Sequence, residues 1–192
     1  TSSYEERLRL LEQDSAAMPE SVGILNGFIN AGHRSLDALS KAVDPDSFDQ
    51  AVELLAGAQT IFLIAKRRSY PISSYMAYAF CKLRVKCIAV GTAAGIDDDV
   101  LALAGPKDAA FAVSFSPYAS ESAGQARAMA DRGVPVVSLT DSAFSPLAEC
   151  SKIWFEVVEA DHAGFRSLSA SMAFAMALTV SVAEARRRRP GR

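Results

Sequence analysis

Four serines fall within the nine residues Ser114-Phe115-Ser116-Pro117-Tyr118-Ala119-Ser120-Glu121-Ser122, directly after the apolar run that ends at Val113. A serine hydroxyl can donate to an anionic oxygen, allows close approach and brings no competing charge, so such a cluster at the mouth of a buried strand suits a phosphate or a carboxylate. A second polar turn, Ala65-Lys66-Arg67-Arg68-Ser69, closes the apolar run that starts at Ile61 and adds cations. Charge-assisted hydrogen bonds are about twice as strong as neutral ones. The residues that these two turns offer to a ligand are Lys66, Arg67, Ser69, Ser114, Ser116, Tyr118, Ser120 and Ser122. A blander use is open for some of them. Ser69, Ser120 and Ser122 suit helix N-caps worth ~1 kcal/mol each, and the basic turn suits a solvated surface. Ser114 and Ser116 sit at the strand end, ahead of the helix, where no cap is needed.

Other reactive side chains offer less. His33 and His162 lack the neighbours of a metal site, and nothing in the sequence calls for a cofactor. Cys81, Cys87 and Cys150 match no zinc or redox spacing and are expected to be reduced, buried core residues of a cytosolic protein. The serines have no histidine and acid placed for a hydrolase triad. Arg166, Ser167 and Ser169 open the last helical stretch, where they would cap it or reach a ligand, including one in a partner subunit. The Arg186 to Arg189 run complements that helix's dipole and is expected at a solvated chain end.

The elements that must position these residues follow from hydrophobic patterning. Half of the 192 residues are apolar, enough for one sizeable core, and the net charge of −2 lacks the basic excess of a nucleic-acid surface. No run reaches the ~18 apolar residues of a membrane span, and the polar N-terminus has no signal-peptide core. The chain starts at Thr1 without methionine, which reads as a fragment or a processed product. Helical spacing predicts a helix over 4–13 and another over 19–43, the latter weakened by Gly23, Gly27 and Gly32. Asp44-Pro45 signals a third, ending at Gly57.

After residue 59 the texture changes. Apolar runs over 61–65, 87–90, 109–115, 134–139 and 153–158 alternate with amphipathic stretches over 70–83, 97–104, 120–132, 145–150 and 167–187. Runs without polar alternation predict strands covered on both faces. The pattern predicts an α/β fold with a five-stranded parallel sheet in the order 2-1-3-4-5, preceded by helices over 1–59. In that order the ligand crevice lies at the carboxyl ends of the first and third strands. Those are the strands that end in the two polar turns.

Three segments carry a family resemblance: Ser114-Phe115-Ser116-Pro117-Tyr118 with Glu121-Ser122; Gly133-Val134-Pro135-Val136-Val137; and Thr140-Asp141-Ser142 followed by Ser145-Pro146-Leu147-Ala148. Over residues 60–185 the chain resembles a sugar isomerase (SIS) domain, specifically the effector domain of RpiR-family transcriptional regulators. The resemblance implies a flavodoxin-like αβα sandwich over 60–192 that binds a phosphorylated sugar or a related sugar acid or polyol, usually as a dimer, with tetramers also open. It implies that Ser69, Ser114, Ser116 and Ser122 hold the phosphate. Residues 1–59 resemble the linker helices of these regulators, which would place DNA contact in a helix-turn-helix ahead of this chain. The sequence departs from the family where a Gly-x-Gly-x-Ser turn is common, having Ala65 and Arg67 at the glycine positions. The rival reading is a free-standing phosphosugar isomerase, with Glu156 or Glu159 and His162 moving a proton between adjacent carbons.

Overall fold

The computed structural model describes residues 3–13 and 20–189. Three helices come first: α1 (Tyr4–Gln13), α2 (Glu20–Ala42) and α3 (Pro45–Gly57). Pro19, the expected start of the second, lies outside the described residues. The start of α3 is built as its sequence foretells, with the Asp44 carboxylate accepting from the Ser47 N–H at 2.8 Å and Pro45 in the first turn.

The alternating region then gives β1 (Ile61–Ala65), a 3-10 turn over Arg67–Ser69, α4 (Tyr70–Lys82), β2 (Cys87–Ala89), α5 (Asp97–Ala102), β3 (Ala109–Val113) and α6 (Ser120–Asp131). It continues with β4 (Val136–Thr140), α7 (Pro146–Cys150) and β5 (Ile153–Glu156). The five strands are parallel and lie in the order β2-β1-β3-β4-β5, as the pattern predicts.

Side chains alternate across the sheet. Ile61, Leu63, Phe111, Val113, Val137 and Leu139 face one layer, where α3, α4 and the last helix, α8 (Ser169–Arg188), bury Leu55, Met76, Phe80, Phe174 and Leu178. Phe62, Ile64, Ala110, Ala112 and Val136 face the other, against Leu101 of α5, Met129 of α6 and Leu147 of α7. Each fully buried side chain of this kind contributes about 1.5 to 3 kcal/mol. Residue 59 marks the change of texture, but Leu55 and Ala56 of α3 belong to the same core as the sheet.

One element has no forerunner in the sequence reading. Between β5 and α8 the chain forms a small hairpin, β6 (Asp161–His162) paired with β7 (Phe165–Arg166), turning through Ala163 and Gly164 with φ of +50° and +80°. Two consecutive positive φ values make the tight turn that matches strand twist. The hairpin is fastened to α2. Ser35 Oγ accepts from the Ala160 N–H at 2.8 Å, Arg34 donates to the Asp161 carbonyl at 3.1 Å, and the His162 ring packs edge-on against Phe28.

Two expectations are corrected. The arginine run is a solvated end only in part: Arg187 and Arg188 are exposed, but Arg186 donates to the Ala58 carbonyl, and Arg189 donates to the carbonyl and the carboxylate of Glu53, tying α8 to the carboxyl end of α3. Nor is any of the cysteines fully buried, although Cys87 and Cys150 pack against the two core layers. Cys81 is exposed, and Cys87 and Cys150 are half-buried, all three as free thiols. Burial, reinforced by the neighbouring Cys81, pushes the Cys87 thiol up to about 12.

One of the glycines that weaken α2 as a helix, Gly27, has a packing reason. A Cβ at Gly27 would stand 2.3 Å from the His162 ring, whereas one at Gly23 would meet nothing within 4 Å. In an open helical position Gly→Ala gains about 1 kcal/mol from propensity. Gly23→Ala is therefore expected to stabilise the protein by up to about 1 kcal/mol in urea denaturation, and Gly27→Ala to destabilise it by about 1 to 3 kcal/mol through overpacking. Equal effects at the two positions would show that the His162 contact does not constrain α2.

Candidate functional site

The β1 and β3 strands are neighbours in register, Ala65 beside Val113, so the turns that follow them emerge side by side. The helices they feed diverge. Ile72 and Met76 of α4 pack on one face of the sheet and Ala126 and Met129 of α6 on the other. This is the switch point of an open parallel sheet, where a crevice must open between the departing helices. The turns also touch: Arg68 Nη2 donates to the Ser116 carbonyl at 2.8 Å.

The two helices at the crevice start without side-chain caps, α4 from Ser69 and α6 from Ala119. The α3 and α7 helices are both capped, by Asp44 and Ser145. The first N–H groups of α6 therefore have no side-chain acceptor, and its dipole favours negative charge there; at α4 the Tyr70 N–H already donates to the Arg67 carbonyl and Pro71 has no N–H, so that helix offers chiefly its dipole. Ser122, in the first turn of α6, is fully buried and its Oγ has no hydrogen-bond partner. A buried hydroxyl left unsatisfied costs about 1 to 3 kcal/mol. Ser69 is also buried, at 4% exposure. Capping accounts for neither side chain.

The other serines divide. Ser114 is buried, and its Oγ accepts from the Ala119 N–H at a long 3.4 Å while its carbonyl takes the Thr140 hydroxyl at 2.8 Å. It thus helps to shape the loop, a use that its position ahead of the helix did not suggest. Ser116 and Ser120 are exposed. The Ser116 backbone is fixed from three sides: its N–H donates to Asp141 Oδ2 at 2.9 Å, and its carbonyl accepts from Arg68 and, at 2.7 Å, from Arg166 Nη1 of β7. The bond from Ser116 to Pro117 is cis. Tyr118 is half-buried beside Asp141, Ser142 and Ser145. Burial first, then the Asp141 carboxylate, raises its hydroxyl above the ordinary tyrosine value.

The basic turn serves more than one purpose. Lys66 forms an ion pair with Asp97, the first residue of α5, whose other oxygen accepts from the Gly91 N–H at 3.0 Å. The hydrogen bond from Lys66 to Asp97 raises the lysine's pKa. Burial works against the Asp97 charge, but the bonds from Lys66 and Gly91 outweigh it and hold the carboxyl below its usual value. Arg67 is exposed and has φ of +55°, the left-handed conformation that glycine adopts without strain. The backbone thus keeps at Arg67 a shape suited to the glycine that the sequence lacks.

Beside the serines lies a cavity of about 210 Å³, lined in part by Arg68, Phe115, Asp141, Glu159 and Arg166. Ser69, Ser114 and Ser122 are not in its lining, but Arg68 adjoins Ser69 and Phe115 adjoins Ser114 in the chain. Glu159 Oε1 accepts from the N–H and hydroxyl of Ser171, at 2.7 and 2.9 Å, while the Ser169 N–H donates to the Ser167 hydroxyl oxygen at 3.0 Å. Asp141 was not among the residues offered to a ligand, and Glu159 was offered only as a base in the isomerase reading. Asp141 could have been found, because it ends the β4 run as Ser114 ends the β3 run.

Residues 54–181 match the family model of the SIS domain. The chain belongs to the SIS domain family. No curated protein matches it. Among solved structures, the SIS domain is similar to the sugar isomerase domain of an RpiR transcription factor from Sphaerobacter thermophilus, with 19% identity over 83% of this chain and 89% of that one and a TM-score of 0.78. The NanR protein of Vibrio vulnificus, complexed with ManNAc-6P, is 24% identical over 96% of this chain and 69% of its own, with a TM-score of 0.74. A Methanococcus jannaschii protein with an inferred 3-hexulose-6-phosphate isomerase function is 14% identical over 83% of this chain and 89% of its own, with a TM-score of 0.66. Regulators and isomerases thus share the fold. Among the described residues of the SIS domain and its preceding helices, no helix is long and apolar enough to cross a membrane, and no group of His, Cys, Asp and Glu is placed to hold a metal.

The Lys66–Asp97 pair joins the β1 turn to α5 and has a definite pH window. The lowered Asp97 value contributes stability above the unfolded pKa of about 3.9, lost as pH falls through the folded value; the raised Lys66 value contributes below about 10.4. The stability gap between wild type and Asp97→Asn should be full near about pH 6 and close below about pH 4. A gap that persists in acid would assign the effect to packing instead.

Proposed function

We propose that this SIS domain binds a phosphorylated sugar, with the phosphate at the N-termini of α4 and α6 between Ser69 and Ser122, as the effector domain of a transcriptional regulator of carbohydrate metabolism. The observation that carries the reading is Ser122, a buried hydroxyl without a partner at the uncapped start of a helix. An anionic oxygen would satisfy the hydroxyl and the first N–H groups together. Ser114, Ser116, Tyr118, Ser120, Lys66 and Arg67 complete the rim as second-rank contributors. Lys66 acts chiefly through Asp97.

The regulatory half of the proposal is supported by likeness to the RpiR domain and by NanR, whose match extends over 96% of this chain, the preceding helices included. In this reading the protein is cytoplasmic and works as a dimer or tetramer. DNA contact belongs to a helix-turn-helix ahead of α1, and ligand binding shifts the balance between two arrangements of the subunits. Aldose-ketose conversion would need a base free to move a proton. Glu159 is instead engaged by Ser171, and His162 packs against Phe28 and Gly27, which favours binding without turnover.

Inorganic phosphate and ManNAc-6P are expected to raise the melting temperature of the wild type, with no isomerised product on prolonged incubation. Ser122→Ala should fold with equal or higher stability, because it removes an unsatisfied hydroxyl, yet bind either ligand about tenfold or more weakly, the value of a lost hydrogen bond to a charged group. Unchanged affinity in Ser122→Ala would overturn the assignment of the anion site, and product formation would favour the isomerase.

A further inference from the structure

The cavity beside the serines holds an imbalance of charge and of hydrogen bonding. Its ionisable lining consists of the carboxylates of Asp141, Glu159 and Asp161 against the guanidiniums of Arg68 and Arg166. Both guanidiniums already donate to the Ser116 carbonyl, and Arg166 lies 3.7 Å from Asp141. The carboxylates are less well served. Asp141 Oδ1 and Glu159 Oε2 are buried and have no hydrogen-bond partner. Arg7, the other guanidinium near Arg68, lies over the Tyr4 and Phe165 rings and is not in the lining. The remaining wall is formed by Phe115, Val157, Val158 and Leu168 with one hydroxyl-bearing residue, Ser167.

A group entering this space meets an excess of one negative charge, and the two acceptors without donors, Asp141 Oδ1 and Glu159 Oε2, lie covered within its wall. Hydroxyl or amino groups bring donors to this carboxylate-rich lining, and its apolar part suits the C–H face of a sugar ring. A carboxylate donates nothing and adds like charge to it. At about 210 Å³ the cavity is smaller than the roughly 300 Å³ at which drug-sized sites begin, which limits the occupant to about one monosaccharide.

We infer that this cavity takes the sugar body of the ligand and selects a neutral or amino sugar phosphate over a phosphorylated sugar acid, with Asp141 and Glu159 as the discriminating residues. The inference rests on the reading that the serine-lined helix starts hold the phosphate, and it narrows that reading to one of the ligand classes the sequence leaves open. Asp141 has a second duty, because its Oδ2 fixes the Ser116 N–H. Selectivity and loop shape are therefore joined in one side chain. An asparagine there can keep the bond to Ser116 through its amide oxygen while losing the charge.

The test is calorimetric titration of the full chain with two matched pairs, glucose 6-phosphate against 6-phosphogluconate and ribose 5-phosphate against 5-phosphoribonate, with inorganic phosphate as competitor. In at least one pair the aldose should bind tenfold or more tightly than its acid and more tightly than inorganic phosphate. Asp141→Asn and Glu159→Gln should each reduce that ratio at least fivefold, with folding checked by circular dichroism. If phosphate competes but the acids bind as well as the aldoses, or no sugar binds better than phosphate, the inference fails while the phosphate site stands. If neither phosphate nor any sugar phosphate binds, the phosphate site itself is wrong and the inference falls with it. A ratio unchanged in both variants would remove Asp141 and Glu159 from the role.

Discussion

The carbonyl oxygen of Ser116 accepts hydrogen bonds from two guanidiniums that are remote in sequence, Arg68 from the turn after β1 and Arg166 from the hairpin after β5. A neutral acceptor shared by two cations tolerates their repulsion only while both stay bonded. Burial and the neighbouring Arg166 charge accordingly lower the Arg68 pKa. With the Ser116 N–H held by Asp141, one peptide segment draws together three loops at the carboxyl edge of the sheet. Without that convergence, Arg68, Asp141 and Arg166 would not border one cavity, and the serines would sit on separate turns.

The architecture around this point was readable because its causes are local. β1, β3 and β4 are buried at every residue; β1 and β3 therefore appear in the sequence as unbroken apolar runs, β4 as one interrupted by Ser138, and β1 spans the five residues of its run. The run after Val134 overshoots β4 at its start because Val134 and Pro135 complete the turn out of α6, where the Val134 N–H bonds back to the Met129 carbonyl. What escaped the sequence has non-local causes. The β6–β7 hairpin has two-residue strands and an alanine where asparagine or glycine would have signalled the turn. Gly27 looks like a helix breaker until the His162 ring is set against it. The arginines at the end of α8 look solvated until the carbonyls of α3 come within reach.

The candidate site divides in the same way. The serine turns were legible, since hydroxyls at strand ends of a parallel sheet have few structural uses. Which serine matters most was not: the sequence sets Ser114 ahead of the helix and Ser122 among its caps, whereas in the structure a backbone N–H occupies the Ser114 hydroxyl and nothing occupies that of Ser122. The glycine turn characteristic of the family looked lost at Arg67, but a positive φ is a property of the backbone and survives the substitution at the cost of some strain.

The clasp between α8 and α3 bears on how the chain comes to be folded. Leu55 and Ala56 share a core with Leu178 and Val182, and the carbonyls of Glu53 and Ala58 are met by Arg189 and Arg186. During synthesis the first of these helices leaves the ribosome more than a hundred residues ahead of its partner, with an oily stripe and bare carbonyls turned to water. Closure of the layer must wait for the last helix to emerge, so assembly depends on contacts of high sequence separation, the kind that form late.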